Sequence, residues 1–197
     1  MTTDAYAHQF SNWMKARLDE MDATFTAIEK NAATLHADAK RQAEQAIAQM
    51  HTQREAFQDA IRKQQHDNEA ALAKTKAALE ANWSSFETAA QDYVKQAQLS
   101  AQQQAATFKA RAEAQRKAWD ETLSVLRNKA KTAADERKRD LDAALTHLQS
   151  QADAAKAKLE ASQKAGTESW AAFKTALHES RVAFDKASQK ALEAFKM

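Results

Sequence analysis

Large apolar side chains recur along this chain at alternating steps of four and three. Met14, Leu18, Met21, Phe25, Ile28, Ala32, Leu35 and Ala39 follow Trp13 in that rhythm, which is the seam of a heptad repeat. The stripe continues through Ala43, Ala46, Met50, Phe57 and Ile61, then stops over residues 62–69, RKQQHDNE, which hold no apolar side chain. It resumes from Leu72 through Leu79, Trp83, Phe86, Ala90, Tyr93 and Ala97. From there it runs by way of Phe108, Ala112, Trp119, Leu123, Leu126 and Ala130 to Leu141, Leu145, Leu148, Ala155 and Leu159. A last stripe holds Trp170, Phe173, Leu177, Phe184, Ala187 and Ala191. Asp67 or Asn68 would cap a new helix after the first break, and Gly166 followed by Thr167 marks a second turn.

The pattern predicts three long helices over residues 4–63, 69–165 and 168–197 in a single elongated domain spanning 1–197. Their lengths would be roughly 90, 145 and 45 Å at 1.5 Å per residue. The first and third together match the second, so the expected fold is an all-α antiparallel coiled-coil rod of two helical hairpins laid end to end. Folding about residue 66 sets Met50 near Trp83, Ile61 near Leu72, Phe25 near Phe108 and Trp13 near Trp119. Folding about Gly166 sets Phe173 near Leu159, Leu177 near Ala155 and Phe184 near Leu148. Large residues then face alanine at several levels, as close helix packing requires. Two weaker interruptions, the capping-box pattern Ser84-Ser85-Phe86-Glu87 and the Gln-rich stretch 96–104, keep the seam in register and read as helix interior.

Composition strengthens the helical reading. The 197 residues include no proline and one glycine, and alanine supplies about a quarter of them. More than half of the 44% apolar fraction is therefore alanine, which suits a thin seam better than a thick globular core. Lys and Arg number 29 against 27 Asp and Glu, a net +2 that gives no footing for nucleic acid as a partner. There is no cysteine, no secretory pattern at the N-terminus and no apolar run of membrane-spanning length, so a cytoplasmic protein is expected.

Candidate chemistry is sparse. His8, His36, His51, His66, His147 and His178 have no ligand-type residue three positions earlier and form no His-x-x-x-His pair, so no metal or cofactor is expected. Phosphate loops and nucleophile elbows need several glycines. The basic cluster Arg127, Lys129, Lys131, Arg137, Lys138, Arg139 is broken by Asp135, Glu136 and Asp140 and reads as a solvated face. The openings Trp83…Phe86, Trp119…Leu123 and Trp170…Phe173, in proline-poor Ala/Gln/Lys/Glu-rich helices, resemble bacterial long-helix proteins of apolipoprotein-like and phasin-like pattern. That resemblance implies an amphipathic coat on a lipid or storage-granule surface, and it carries over no functional residue.

The seam itself is the expected interface: Trp13, Phe25, Met50, Ile61, Leu72, Trp83, Phe86, Tyr93, Phe108, Trp119, Leu148, Leu159, Trp170, Phe173, Leu177 and Phe184. The expected function is a non-catalytic scaffold that self-associates, with a dimer favoured, and binds protein partners along its helical faces. The coat is the competing expectation.

Overall fold

The computed structural model describes residues 2–63, 69–131, 135–165 and 169–196. It is all-helical: α1 (Thr2–Ala32), α2 (Ala37–Lys63), α3 (Glu69–Gln96), α4 (Ala101–Lys131), α5 (Asp135–Ala165) and α6 (Trp170–Lys196). No helix among the described residues is long and apolar enough to cross a membrane.

Among the described residues six helices replace the three expected, and the extended rod is corrected to a folded-back bundle. The pairing register nevertheless survives in part. α1 runs antiparallel to α4, with Lys15 Nζ 2.8 Å from Glu121 Oε2 and Asn31 Nδ2 donating to Thr107 Oγ1 at 3.1 Å. These pairs lie about one to two turns from the register that folding about residue 66 predicts. α2 packs on α3 and α5 on α6, the two expected hairpins. The expected rod is bent double at its middle, because both of its strands turn at the same level. α2 thereby returns along α1, where Arg54 Nη2 donates to Asp22 Oδ2 at 3.1 Å and the ring of His51 stacks on Phe25 at 4.2 Å.

The two bends differ in construction. At the end of α1, the amides of Thr34 and Leu35 donate to Asn31 O and Ala32 O, and α2 starts with Lys40 N donating to His36 O. Leu35 stays packed against the core, so the seam passes through this turn without a gap. At the end of α3, Gln98 adopts φ 48°, Leu99 N donates to Val94 O and Gln98 N to Lys95 O. These bonds form a Schellman motif, and its accompanying apolar contact is supplied by buried Leu99 and Val94. Ser100 then caps α4 through a reciprocal box: Ser100 N donates to Gln103 Oε1 at 3.0 Å and Gln103 N to Ser100 Oγ at 3.3 Å. Gln103 Nε2 also donates to Thr34 Oγ1 at 3.2 Å, tying the bends together. The Gln-rich stretch is thus a turn, whereas Ser84–Glu87 lies inside α3 as expected.

A further reversal follows α4. Arg116 Nη1 donates to Glu160 Oε1 at 3.2 Å and Lys156 Nζ to Asp120 Oδ1 at 2.7 Å, so α5 runs back along α4. The expected turn residues Asp67, Asn68, Gly166 and Thr167 lie outside the described residues.

The two halves of the chain repeat one plan. Residues 98 positions apart match in type at Phe10 and Phe108, Thr24 and Thr122, Leu79 and Leu177, and Phe86 and Phe184. The apolar members of these pairs are all buried. The offset is a whole number of heptads, so the seam is preserved between halves. Ring contacts repeat as well: α1 meets α3 through Phe25 and Phe86, and α4 meets α6 through Phe108 and Phe173 and through Trp119 and Phe184. The helical triplets α1–α3 and α4–α6 are joined along α1 and α4.

Candidate functional site

Where the halves meet, the core is ionic. Arg111 of α4 is fully buried, 0% exposed. Its Nε and Nη2 donate to Glu20 Oε1 of α1 at 3.0 and 2.7 Å, and its Nη1 donates to Glu87 Oε2 of α3 at 3.3 Å. Nη2 also pairs with Glu87 Oε1. Arg181 of α6 donates from Nη1 to Glu87 Oε1 at 3.1 Å and lies 3.6 Å from Glu20 Oε2. Arg17 reaches across from α1 to Asp185 at 2.5 Å. Three guanidiniums therefore balance three carboxylates.

The indole of Trp83 gathers all three cations, with Arg181 at 4.6 Å, Arg17 at 5.5 Å and Arg111 at 5.9 Å from its ring centre. Planar guanidiniums stack on aromatic faces and give up hydration more readily than ammonium groups, which is why arginine rather than lysine fits here. Gln115 completes the lattice by donating from Nε2 to Glu20 Oε2 at 3.1 Å and to Leu177 O at 3.2 Å.

Electrostatics keeps the central pair charged. Burial works against the charge of Arg111, but the carboxylates of Glu87 and Glu20 outweigh it and hold the guanidinium above its ordinary value. Burial pushes the carboxyl of Glu87 upward, while Arg111 and Arg181 more than reverse this and leave it below its ordinary 4.5. Burial lowers Arg181 against the same two carboxylates, yet a guanidinium does not deprotonate under ordinary conditions. Glu87, Arg111 and Arg181 thus exchange no proton near neutral pH. They act as a lock: removing one member strands the others uncompensated in a dry interior.

The lock opens on a cavity of about 280 Å³ among α1, α3, α4 and α6. Its size is near the lower end of small-molecule sites, roughly 300–1,000 Å³. Phe10, Trp13, Trp119, Leu126 and Phe184 form apolar walls, and Arg17, Glu20, Gln115, Arg181 and Ser188 supply the polar lining. The Oε1 of Gln115 and Oγ of Ser188 are buried without a hydrogen-bond partner.

Of the expected interface residues, Trp13, Phe25, Met50, Phe86, Tyr93, Phe108, Trp119, Leu148, Leu159, Trp170, Phe173, Leu177 and Phe184 are buried within the one chain. Ile61 and Trp83 are partly buried against them, and the side chain of Leu72 lies outside the described residues. Among the described residues no group of three or more His, Asp or Glu side chains could hold a metal ion.

The ionic lock was not anticipated, although part of its signal stands in the stripe. Gln115, between Ala112 and Trp119, and Arg181, between Leu177 and Phe184, occupy seam positions in the four-three rhythm. Glu20, Glu87 and Arg111 stand beside the seam, where a two-helix rod would leave them wet. In a bundle with several neighbours per helix those flanking positions are enclosed. Comparison of the chain with protein families, with curated proteins and with solved structures returns no match.

Proposed function

We propose that the protein is a non-catalytic helical scaffold, a preformed cytoplasmic block that self-associates and offers its outer helical faces to protein partners. One observation carries this reading: the apolar stripes close on one another around an ion-paired centre that fixes their register. Among the described residues Val125, at 37%, is the large hydrophobic left exposed. A bundle sealed in this way keeps its shape when it meets a partner, and the outward i,i+4 pairs, such as Lys15–Asp19 and Lys76–Glu80, leave a polar surface for recognition.

The competing coat reading requires the bundle to open and lay its stripes on an apolar surface. Titration with neutral phosphatidylcholine vesicles separates the two, read by tryptophan emission and by light scattering. The scaffold keeps its emission spectrum and its mass distribution. Saturable binding with a blue shift and loss of the folded dimensions would establish the coat instead. Sedimentation across micromolar concentrations tests the self-association.

A further inference from the structure

We infer that the bend after α3 is a hinge through which two copies of this chain exchange halves, so that each copy completes the other's ionic lock. The exchange gives the self-association proposed above, on which it rests, its partner and its mode. The hinge shows first in the backbone. Gln98 is, among the described residues, the one residue other than glycine with a positive φ, 48°, and it stands in the four-residue connection 97–100 between the repeated halves. A Cβ is costly in that conformation, and short strained connections favour exchange of whole segments between copies.

The sequence across the bend suits a straight helix. Residues 96–104 contain no glycine or proline, and Tyr93, Ala97, Ala101, Gln104 and Phe108 follow one another at steps of four and three. With the bend opened, residues 69–131 form one helix of about 95 Å at 1.5 Å per residue.

Complementarity names the occupant. The first half brings one cation and two anions to the lock, Arg17, Glu20 and Glu87, and the second brings two cations and one anion, Arg111, Arg181 and Asp185. Two first halves repel where a first and a second half attract, so the surface uncovered by opening fits the opposite half of a second copy. The register fits as well. Glu87 and Arg111 lie twelve residues to either side of Leu99. In a straightened helix they stand about 36 Å apart and cannot meet within one chain. Two such helices crossing antiparallel at Leu99 bring Glu87 of each copy to the partner's Arg111. Each six-helix unit of the dimer then repeats the contacts of the closed chain.

The test uses the full chain carrying Lys15→Cys and Glu121→Cys, surface positions on α1 and α4 whose Nζ and Oε2 lie 2.8 Å apart. The chain has no cysteine of its own, so a short bis-maleimide joins the introduced thiols alone. The variant is refolded from urea at high micromolar concentration, separated by size and cross-linked. The dimer fraction should give a covalent two-chain product on a denaturing gel, and the monomer fraction a single chain. Two further variants act on the hinge in opposite directions. Gln98→Gly relieves the closed bend and weakens a helix through it, so it should weaken the dimer at least about tenfold, each dimer holding two hinges. Ser100→Ala removes the α4 cap formed with Gln103 and favours the straight helix, so it should strengthen the dimer by a similar factor. A dimer fraction whose chains run singly on the gel would overturn the exchange and leave side-by-side self-association standing. Absence of any dimer would overturn both, and a dimer affinity unmoved by Gln98→Gly and Ser100→Ala would overturn the hinge.

Discussion

The two halves of the chain share an apolar skeleton and differ at their polar centre. Phe10, Leu79 and Phe86 in the first half stand where Phe108, Leu177 and Phe184 stand in the second. At the same offset Arg17 faces Gln115 in type, Glu20 faces Ala118 and Trp83 faces Arg181. Each triplet alone would bury charges without their complement: Glu20 and Glu87 come from the first half, and Arg111 and Arg181 from the second. The common skeleton makes the halves fold alike, and the divergent centre makes them need one another. Buried ion pairs add little net stability but penalise every arrangement that leaves them unmatched, so any other pairing of the halves would carry that cost.

The largest test of the shared skeleton is a matched pair of truncations. Phe86→Ala and Phe184→Ala should each cost about 4 kcal/mol in urea unfolding, since both remove a buried ring from an equivalent layer. Similar losses would uphold the repeat, and a cost confined to one half would break it.

Arg111→Met tests the divergent centre. It leaves Arg181 alone to face both Glu20 and Glu87 and should destabilise the chain by about 3 kcal/mol. It should also change the acid response. The carboxyl of Glu87 is held below its ordinary 4.5, so its contribution is present above that pH and lost as pH falls through the folded value. In Arg111→Met the lowering influence of Arg111 is gone, so the acid-dependent loss carried by Glu87 should be smaller and complete at a higher pH.

Tyr93 gives a smaller effect of opposite sign. Its hydroxyl donates to Ile28 O at 3.1 Å across α1 and α3, and burial pushes its pKa up to about 12. Its contribution is complete below the ordinary value of 10.0 and is lost as pH rises toward the folded one. Tyr93→Phe should remove an alkaline stability loss of roughly 2–3 kcal/mol, seen as a flatter pH profile of the urea midpoint. The second half has Ala191 at the matching position and offers no such group.

The smallest effect concerns the bend after α3. Gln98→Gly should stabilise the chain by up to about 1 kcal/mol, because glycine enters the left-handed region without a Cβ clash. A loss instead would show that the side chain of Gln98 contributes more than its backbone strain costs.

How much of this was legible follows from which residues carry each feature. Helix type and the antiparallel pairing of α1 with α4 were readable from the spacing of the large side chains, but the exact register was not: Trp13 meets Phe10 and Phe57, and Trp119 meets Phe184. The bend at 33–36 was hidden because Leu35 continues the stripe through it and no glycine or proline marks it. The bend at 97–100 was hidden because a glutamine occupies the left-handed position that glycine usually takes. The reversal after α4 had a signal, the interval from Ala130 to Leu141 in which no large apolar residue stands on the seam. The ionic lock was legible only at Gln115 and Arg181. Its other members lie off the seam, and their burial depends on how many helices surround them.

The central claim is that the rod folds back on itself at two bends tied by Thr34 and Gln103, reverses again between α4 and α5, and closes into a bundle of six helices among the described residues. Small-angle X-ray scattering on the monomeric fraction tests it most directly. Helices of 31 residues are about 46 Å long at 1.5 Å per residue, so the closed bundle should have a maximum dimension of about 55–60 Å. A value near 145 Å, the length of an uninterrupted middle helix, would contradict the bundle and restore the extended rod.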